Sequence, residues 1–411
     1  MTAKASTEDA PAFPLADAAS AIATARRAVL ADRYAASSFA VEWRGLARLA
    51  PIANEWRQLA ERALEPNLFY EPAFALAAAS AFGRGVGAIL VWSGTSPRRL
   101  LGFFPMRIEM RRYGLKLPLL VGWTHPYAPF GVPLVEREAA EAVVAAFLAH
   151  LAGDRSLPAL MLIPFLSEDG AFAAALDTIL RRAQMSAVDL NRRRRAMLAP
   201  SGERSLYLGR ALARRKHKEL RRLARRLAEM GTVLFASATE PAAVTAAVED
   251  FLALEAAGWK GRAGTAAAGH EQTGRFLRAA VGGLAAEGKI AIKRILFDDR
   301  TIAAAVVLRS GRAAWFWKIA YDEALARFSP GVMLTVALTD ALLADPTIVS
   351  TDSCATADHP MIDHVWRERL RLCDRLIALR PDAAFSRARR LEELRGALLT
   401  TARKLRSAWR G

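Results

Sequence analysis

At 411 residues, with 53% hydrophobic and 24% charged, the chain is long enough for two or three packed domains and too apolar to be disordered as a whole. A formal charge of +17 with pI near 10.6 calls for an anionic partner: a nucleotide cofactor, nucleic acid, an acidic lipid surface or an anionic polymer. The two cysteines, Cys354 and Cys373, exclude a disulfide framework and lack zinc-like spacing, so no metal is expected and a reducing cytoplasm is the default setting.

Residues 1–38, rich in Ala, Ser, Thr and Asp, read as a flexible extension. There Lys4 is followed by Glu8, Asp9 and Pro11, which is not a secretory pattern. Residues 39–200 read as a first domain. A strand over Phe39 to Arg44 is followed by helices over Pro51 to Leu64 and Glu71 to Phe82, then strands over Val86 to Trp92 and Leu100 to Met110. The run Leu117 to Val135 is the longest uncharged one and is broken by prolines. Pro118, Pro126, Pro129 and Pro133 exclude a lipid-exposed helix there and predict extended chain. A helix over Ala139 to Leu151, a strand over Leu157 to Leu166, a helix over Ala171 to Arg182 and a strand over Ser186 to Leu198 complete this half.

Residues 201–230 hold a basic connecting helix with Arg214, Arg215, Lys216, Lys218, Arg221, Arg222, Arg225 and Arg226. Leu212, Leu220, Leu223, Leu227 and Met230 give it one narrow apolar stripe. Its positive face reads either as a solvated connector or as a contact for an acidic acceptor, a membrane surface or RNA. Residues 231–380 then repeat the element order of the first half. A strand lies at Thr232 to Ser237, with helices at Pro241 to Ala257 and His270 to Glu287. A three-strand meander follows over Lys289 to Phe297, Thr301 to Arg309 and Ala313 to Ala320. Helix Pro330 to Ala344, strand Thr347 to Ser353, helix Pro360 to Leu370 and strand Leu372 to Leu379 finish the domain. Residues 381–411 form a basic amphipathic helix, with Leu391, Leu394, Leu398 and Leu405 on one side and Trp409 near its end; it docks on the protein or touches a membrane face.

The loop Tyr321-Asp322-Glu323-Ala-Leu-Ala-Arg327-Phe328-Ser329-Pro330-Gly331 opens into an apolar helix. Ser329 suits an N-cap, Pro330 the first helical position, and Gly331 removes a side chain that would bar a ligand from the backbone. Unpaired N–H groups and the charge of Arg327 make this a seat for phosphate, against the plainer reading of an ordinary capped helix. The corresponding first-half helix begins with Glu136, Glu138 and Glu141, which repel a pyrophosphate, so any such cofactor belongs to the second half.

The doubled order of strand, two helices, meander, helix, strand, helix and strand resembles the GNAT acyltransferase fold, in the tandem layout of FemAB-like transferases. Trp259-Lys260-Gly261, Tyr321-Asp322-Glu323 with Arg327 to Gly331, Asp352-Ser353-Cys354 and Asp358-His359-Pro360-Met361-Ile362-Asp363-His364-Val365-Trp366 resemble the CelD-type acetyltransferase family. The loop departs from the usual GNAT phosphate pattern, since its single Gly331 comes one position late and is followed by Val332. The fold class implied is α+β (α/β mixed): two tandem GNAT-like domains, each a mixed, mainly antiparallel sheet flanked by helices.

The resemblance implies acetyl-CoA, or another acyl-CoA, as donor substrate. It sits in a gap between splayed strands and is held by Ile319, Ala320, Arg327, Ser329, Pro330, Gly331 and Val332. Backbone N–H groups near Ile319 to Tyr321 polarise the thioester carbonyl, and an amine or hydroxyl acceptor takes the acyl group directly. Asp352, His359, Asp363 and Tyr321 are the catalytic candidates, and Trp259, Lys260 and Trp317 the acceptor-binding ones. For His359 a plain helix-start residue, and for Trp259 and Trp317 plain packing, are the competing readings. A nucleophilic Cys354 paired with His359 would instead give a ping-pong enzyme. The partners expected are acyl-CoA and a small-molecule or saccharide acceptor, with peripheral contact to a membrane or a polysaccharide-synthesis complex as a further expectation and nucleic acid not expected. Alternatives are a FemAB-like transferase using aminoacyl-tRNA and a noncatalytic component of such a complex.

Overall fold

The computed structural model describes residues 39–381 and 384–408. The expected extension over 1–38 and Trp409 lie outside the described residues. The first half consists of β1 (Phe39–Gly45), α1 (Ala53–Arg62), α2 (Pro72–Phe82), β2 (Val86–Ser93), β3 (Leu100–Arg112), β4 (Leu115–Gly122), β5 (Leu134–Val135), α3 (Ala140–Gly153), β6 (Leu160–Ser167), α4 (Ala171–Arg182) and β7 (Ala187–Leu198). The second consists of α5 (Arg214–Ala228), β8 (Val233–Ala238), α6 (Pro241–Ala257), α7 (Glu271–Ala286), β9 (Ile290–Phe297), β10 (Arg300–Ser310), β11 (Ala313–Tyr321), α8 (Pro330–Ala344), β12 (Ser350–Asp352), β13 (Glu368–Ala378) and α9 (Ala384–Ala408).

Local chemistry explains most boundaries. Pro72, Pro241 and Pro330 start helices where a missing N–H costs nothing, and Gly83 and Gly258 follow the ends of two of them. The period-two segments become strands. One of them escapes the sequence reading: Leu115–Gly122 is not merely extended chain but pairs with β3 despite Pro118. The β3–β4 register jumps between Glu109↔Leu119 and Arg111↔Lys116, so Pro118 falls in the irregularity and no ladder bond needs its nitrogen.

The strands build one mixed, mainly antiparallel thirteen-stranded sheet in the order β1-β2-β3-β4-β6-β13-β7-β12-β11-β10-β9-β8, with β5 paired to β3. The halves exchange their last strands. β13 runs antiparallel between β6 and β7, while β7 runs antiparallel beside β12, so each half is completed by the other. This exchange explains a further difference from the sequence reading. The expected helix Pro360 to Leu370 is only a turn of 3-10 helix at Ile362–His364, because Glu368, Arg369 and Leu370 are already paired with Met197, Ala196 and Arg195 of β7.

One large core runs through both halves on the side of α2, α6 and α7, where Phe69, Phe74, Phe276, Trp315 and Trp317 meet edge to face. A second core, with Phe316, Phe328, Leu334, Leu338 and Trp366, lies under α5 and α8. The segment β11 separates them. At the C-terminus, α9 docks through Ala388 and Glu392, the latter paired with Arg112, whereas Leu394 and Leu398 are exposed rather than packed. Among the described residues no helix is long and apolar enough to cross a membrane.

Candidate active site

In the second half β11 and β12 run parallel only over Ala313↔Ser350, Ala314↔Thr351 and Trp315↔Asp352. Immediately beyond, the β10–β11 register slips between Val306↔Lys318 and Val307↔Phe316, which makes Trp317 the extra residue of a bulge. A bulge bends and twists its strand, and here it turns β11 away from β12 where their pairing ends. The N–H of Asp322 donates to the Ile302 carbonyl at 2.8 Å, so by strand alternation the N–H groups of Ile319 and Tyr321 point away from β10, toward the opened side.

The first half has a similar splay after Leu120↔Met161 and Val121↔Leu162, but its own chain fills it. Gly131 donates to the Phe165 carbonyl at 3.1 Å and lies so close to β6 that a Cβ would sit 1.9 Å from the Pro164 oxygen. Asn67 fixes this loop by donating to the carbonyls of Phe130 and Val132, at 3.2 and 2.7 Å. Only the second splay retains an open strand edge.

Around that edge the sequence candidates Trp259, Lys260, Ile319, Ala320 and Tyr321 come together, joined by Glu255 and Glu323 in one small cleft. Glu255 is the residue that sequence reading missed. Buried on α6, it accepts from Lys260 Nζ at 2.8 Å and from the Ala267 N–H at 2.8 Å, and lies 3.6 Å from Lys318 Nζ. Its only sequence signal was a lone carboxylate in the apolar run Phe251 to Ala257. Lys318 Nζ sits 4.2 Å over the Tyr127 ring. Burial pushes the Lys318 ammonium down to a pKa of about 8; Glu255 opposes the shift and Lys260 adds to it. Burial also tends to raise the Glu255 carboxyl, but Lys318 and Lys260 together hold it below its ordinary value.

The remaining candidates fall into three places. Asp352 is buried and engaged through both oxygens: Arg195 binds one, and the Cys354 N–H donates to the other at 2.9 Å. Arg195 also donates to the Pro129 carbonyl at 2.9 Å, tying the halves together. His359 accepts the Met361 N–H on Nδ1 at 3.3 Å; burial pushes its pKa down, with Asp363 opposing and Lys260 reinforcing. Asp363 faces Arg369 at 3.8 Å. Trp317 is a core residue whose indole donates to the Tyr127 carbonyl at 2.8 Å, rather than an open acceptor wall. Trp259 is exposed, and its N–H donates to Glu323 at 2.7 Å.

The turn before α8 differs from its reading in two respects. Ser329 occupies the cap position in the left-handed region, φ 55°, and its side chain makes no capping hydrogen bond. Gly331 does leave space, but the Tyr321 ring takes it: a Cβ there would lie 2.9 Å from the ring. Pro330 and Gly331 are buried, Val332 is half-buried, and Arg327 projects exposed over the Phe328 ring with no ion pair among the described residues. Cys354 has an enclosed thiol whose pKa burial raises, with Asp352 adding to the shift, which makes it a poor nucleophile. Among the described residues no cluster of His, Cys, Asp and Glu is arranged to hold a metal ion.

Residues 214–351, from α5 through β12, match the family described as an acetyltransferase (GNAT) domain. No curated protein matches the chain. Among solved structures it is similar to FemX, 9% identical with a TM-score of 0.52, covering 79% of this chain and 95% of that one. It is also similar to the C-terminal domain (DUF2156) of a protein named as a lysylphosphatidylglycerol synthetase from Agrobacterium fabrum, 13% identical, TM-score 0.48, covering 82% and 95%. A tandem GNAT protein from the clavulanic acid biosynthesis pathway matches at 13% identity, TM-score 0.36, covering 84% and 100%. At 9% identity the FemX likeness bears on fold alone. The family match places a GNAT domain at residues 214–351, and the FemX likeness extends the similarity of fold over most of the chain.

Proposed function

We propose that this protein is an acyl-CoA-dependent acyltransferase whose donor lies in the splay between β11 and β12, with an acetyl group as the first choice of acyl chain. The observation that carries this reading is the open strand edge at Ile319 to Tyr321, in the half whose counterpart splay is filled by its own loop. The N–H groups of Ile319 and Tyr321 polarise the thioester carbonyl as negative charge develops on its oxygen. An amine or hydroxyl of the acceptor, entering over Trp259 and Lys260, attacks the carbonyl carbon; the C–S bond breaks and the coenzyme thiolate leaves.

In this reading neutral Lys318 takes the acceptor proton, supported by its amine being held between Glu255 at 3.6 Å and the Tyr127 ring at 4.2 Å. Asp352 and Arg195 then serve to fix the end of β12, with His359 and Asp363 shaping the loop beyond it. An acceptor from polysaccharide biosynthesis rests on the resemblance of the Trp259, Tyr321, Asp352 and Asp358 to Trp366 motifs. A charged tRNA as donor would use the same splay, and the basic face of α5 is the feature that favours it.

The test is a titration with acetyl-CoA followed by thermal unfolding. The wild-type melting temperature is expected to rise, and Arg327→Glu to weaken binding by about tenfold or more by placing a carboxylate where phosphate approaches. Absence of any shift in the wild-type protein removes the enzymatic reading; an equal shift in both proteins removes the role of Arg327.

A further inference from the structure

We propose that the outward stripe of α5 binds the nucleotide phosphates of the donor, beside rather than on the N-terminus of α8; this rests on the acyl-CoA reading above. Arg214, Lys218, Arg221 and Arg225 recur at helical spacing and line a groove of about 870 Å³ together with Gly209, Leu212, His217 and Ala224. No carboxylate lines it. The four cations are exposed and make no ion pair or side-chain hydrogen bond among the described residues. Of the acids nearby, Glu219 pairs with Lys216 at 3.1 Å, and Asp340 faces His217.

The groove lies along the right helix. On its other side α5 buries Leu220 and Leu227 in the core that also holds Phe328, Leu334, Leu338 and Leu342, so α5 and α8 border one core. His217 lies near Asp340 at the far end of α8, and α5 also contacts the turn Glu323–Phe328 that precedes α8. The start of α5 thus lies toward the later part of α8, and α5 also touches the turn that carries Arg327. The N-terminus of α8 is itself covered by the Tyr321 ring over Gly331, which leaves a pyrophosphate short of close backbone approach there. A stripe of cations spanning about 16 Å, with Leu212 and Ala224 beneath it, supplies both charge for phosphates and an apolar floor for a base. Its size suits a small nucleotide, within the range of ligand pockets at about 300 to 1,000 Å³, more than an extended polymer.

Calorimetric titration with coenzyme A and with dephospho-coenzyme A, which lacks the 3′-phosphate, tests this. The wild-type chain is expected to prefer coenzyme A by about tenfold, and a Lys218→Ala/Arg221→Ala/Arg225→Ala variant to lose about tenfold in affinity together with that preference. Arg222→Ala/Arg226→Ala, whose side chains do not line the groove, is expected to bind like wild type. Unchanged coenzyme A binding in the triple variant overturns the proposal and leaves the acyltransferase reading standing. No binding by wild type overturns both. If wild type instead holds only a short hairpin RNA, with a salt dependence lost in the triple variant, the groove belongs to RNA and the proposal fails.

Discussion

Replacing Lys318 with methionine, an unbranched side chain of similar length, is expected to make the protein more stable at neutral pH while removing transfer activity. Burial holds the Lys318 ammonium at a pKa of about 8, against an ordinary 10.5. Between these values the folded chain binds fewer protons at this site than the unfolded chain, so stability rises with pH across the window. Below about 8 the whole penalty of the charged amine is present, and at about 1.4 kcal/mol per tenfold it is on the order of 3 kcal/mol. The side chain is only 15% exposed, so solvent screening removes little of it. That penalty is already net of the attraction to Glu255, because the Glu255 charge opposes the shift.

Urea unfolding of both proteins at several pH values between 7 and 10.5 reads the effect as a difference, in which titrating groups not coupled to Lys318 cancel. Lys318→Met should gain about 2 to 3 kcal/mol at pH 7, and the gain should shrink steadily toward pH 10.5. A variant less stable than wild type at pH 7, or a difference that ignores pH, refutes the placement of a charged amine in a dry site. On the proposed acyl-transfer reading, wild-type turnover should rise with pH up to about 8 as the neutral amine becomes populated, and this limb should vanish in the variant.

Two further substitutions probe the surroundings. Asp352→Asn leaves Arg195 buried without its counter-charge and is expected to cost about 3 to 5 kcal/mol in denaturant unfolding; pairing it with Arg195→Met should recover most of the loss, and no recovery would mean that the carboxylate acts elsewhere. Cys354→Ala should keep transfer within about twofold of wild type, since an enclosed, protonated thiol is a poor nucleophile; a loss of about a hundredfold with an acyl-enzyme trapped by mass spectrometry would establish the ping-pong route instead.

Sequence alone determined the local elements, because each is fixed by signals a few residues apart. Pro241 and Gly258 bracket α6, Pro330 starts α8, and the turns at Asp298 to Arg300 and Ser310 to Arg312 set the meander, so the element order and the GNAT-like class were legible. Trp259, Lys260 and the Ile319 to Tyr321 edge, each singled out in the sequence, line one cleft. Tertiary structure alone decided the rest. Whether Pro118 ends a strand depends on where the β3–β4 register slips, and whether residues 368–370 coil into a helix depends on β7 offering them a ladder. Gly331 reads as ligand space until the Tyr321 ring is seen to fill it. Glu255 and Lys318 stand 63 residues apart in the chain, and each is an unremarked charge until the fold brings them within 3.6 Å in a dry setting. Burial and long-range pairing are properties of the assembled sheet, so no window of sequence contains them.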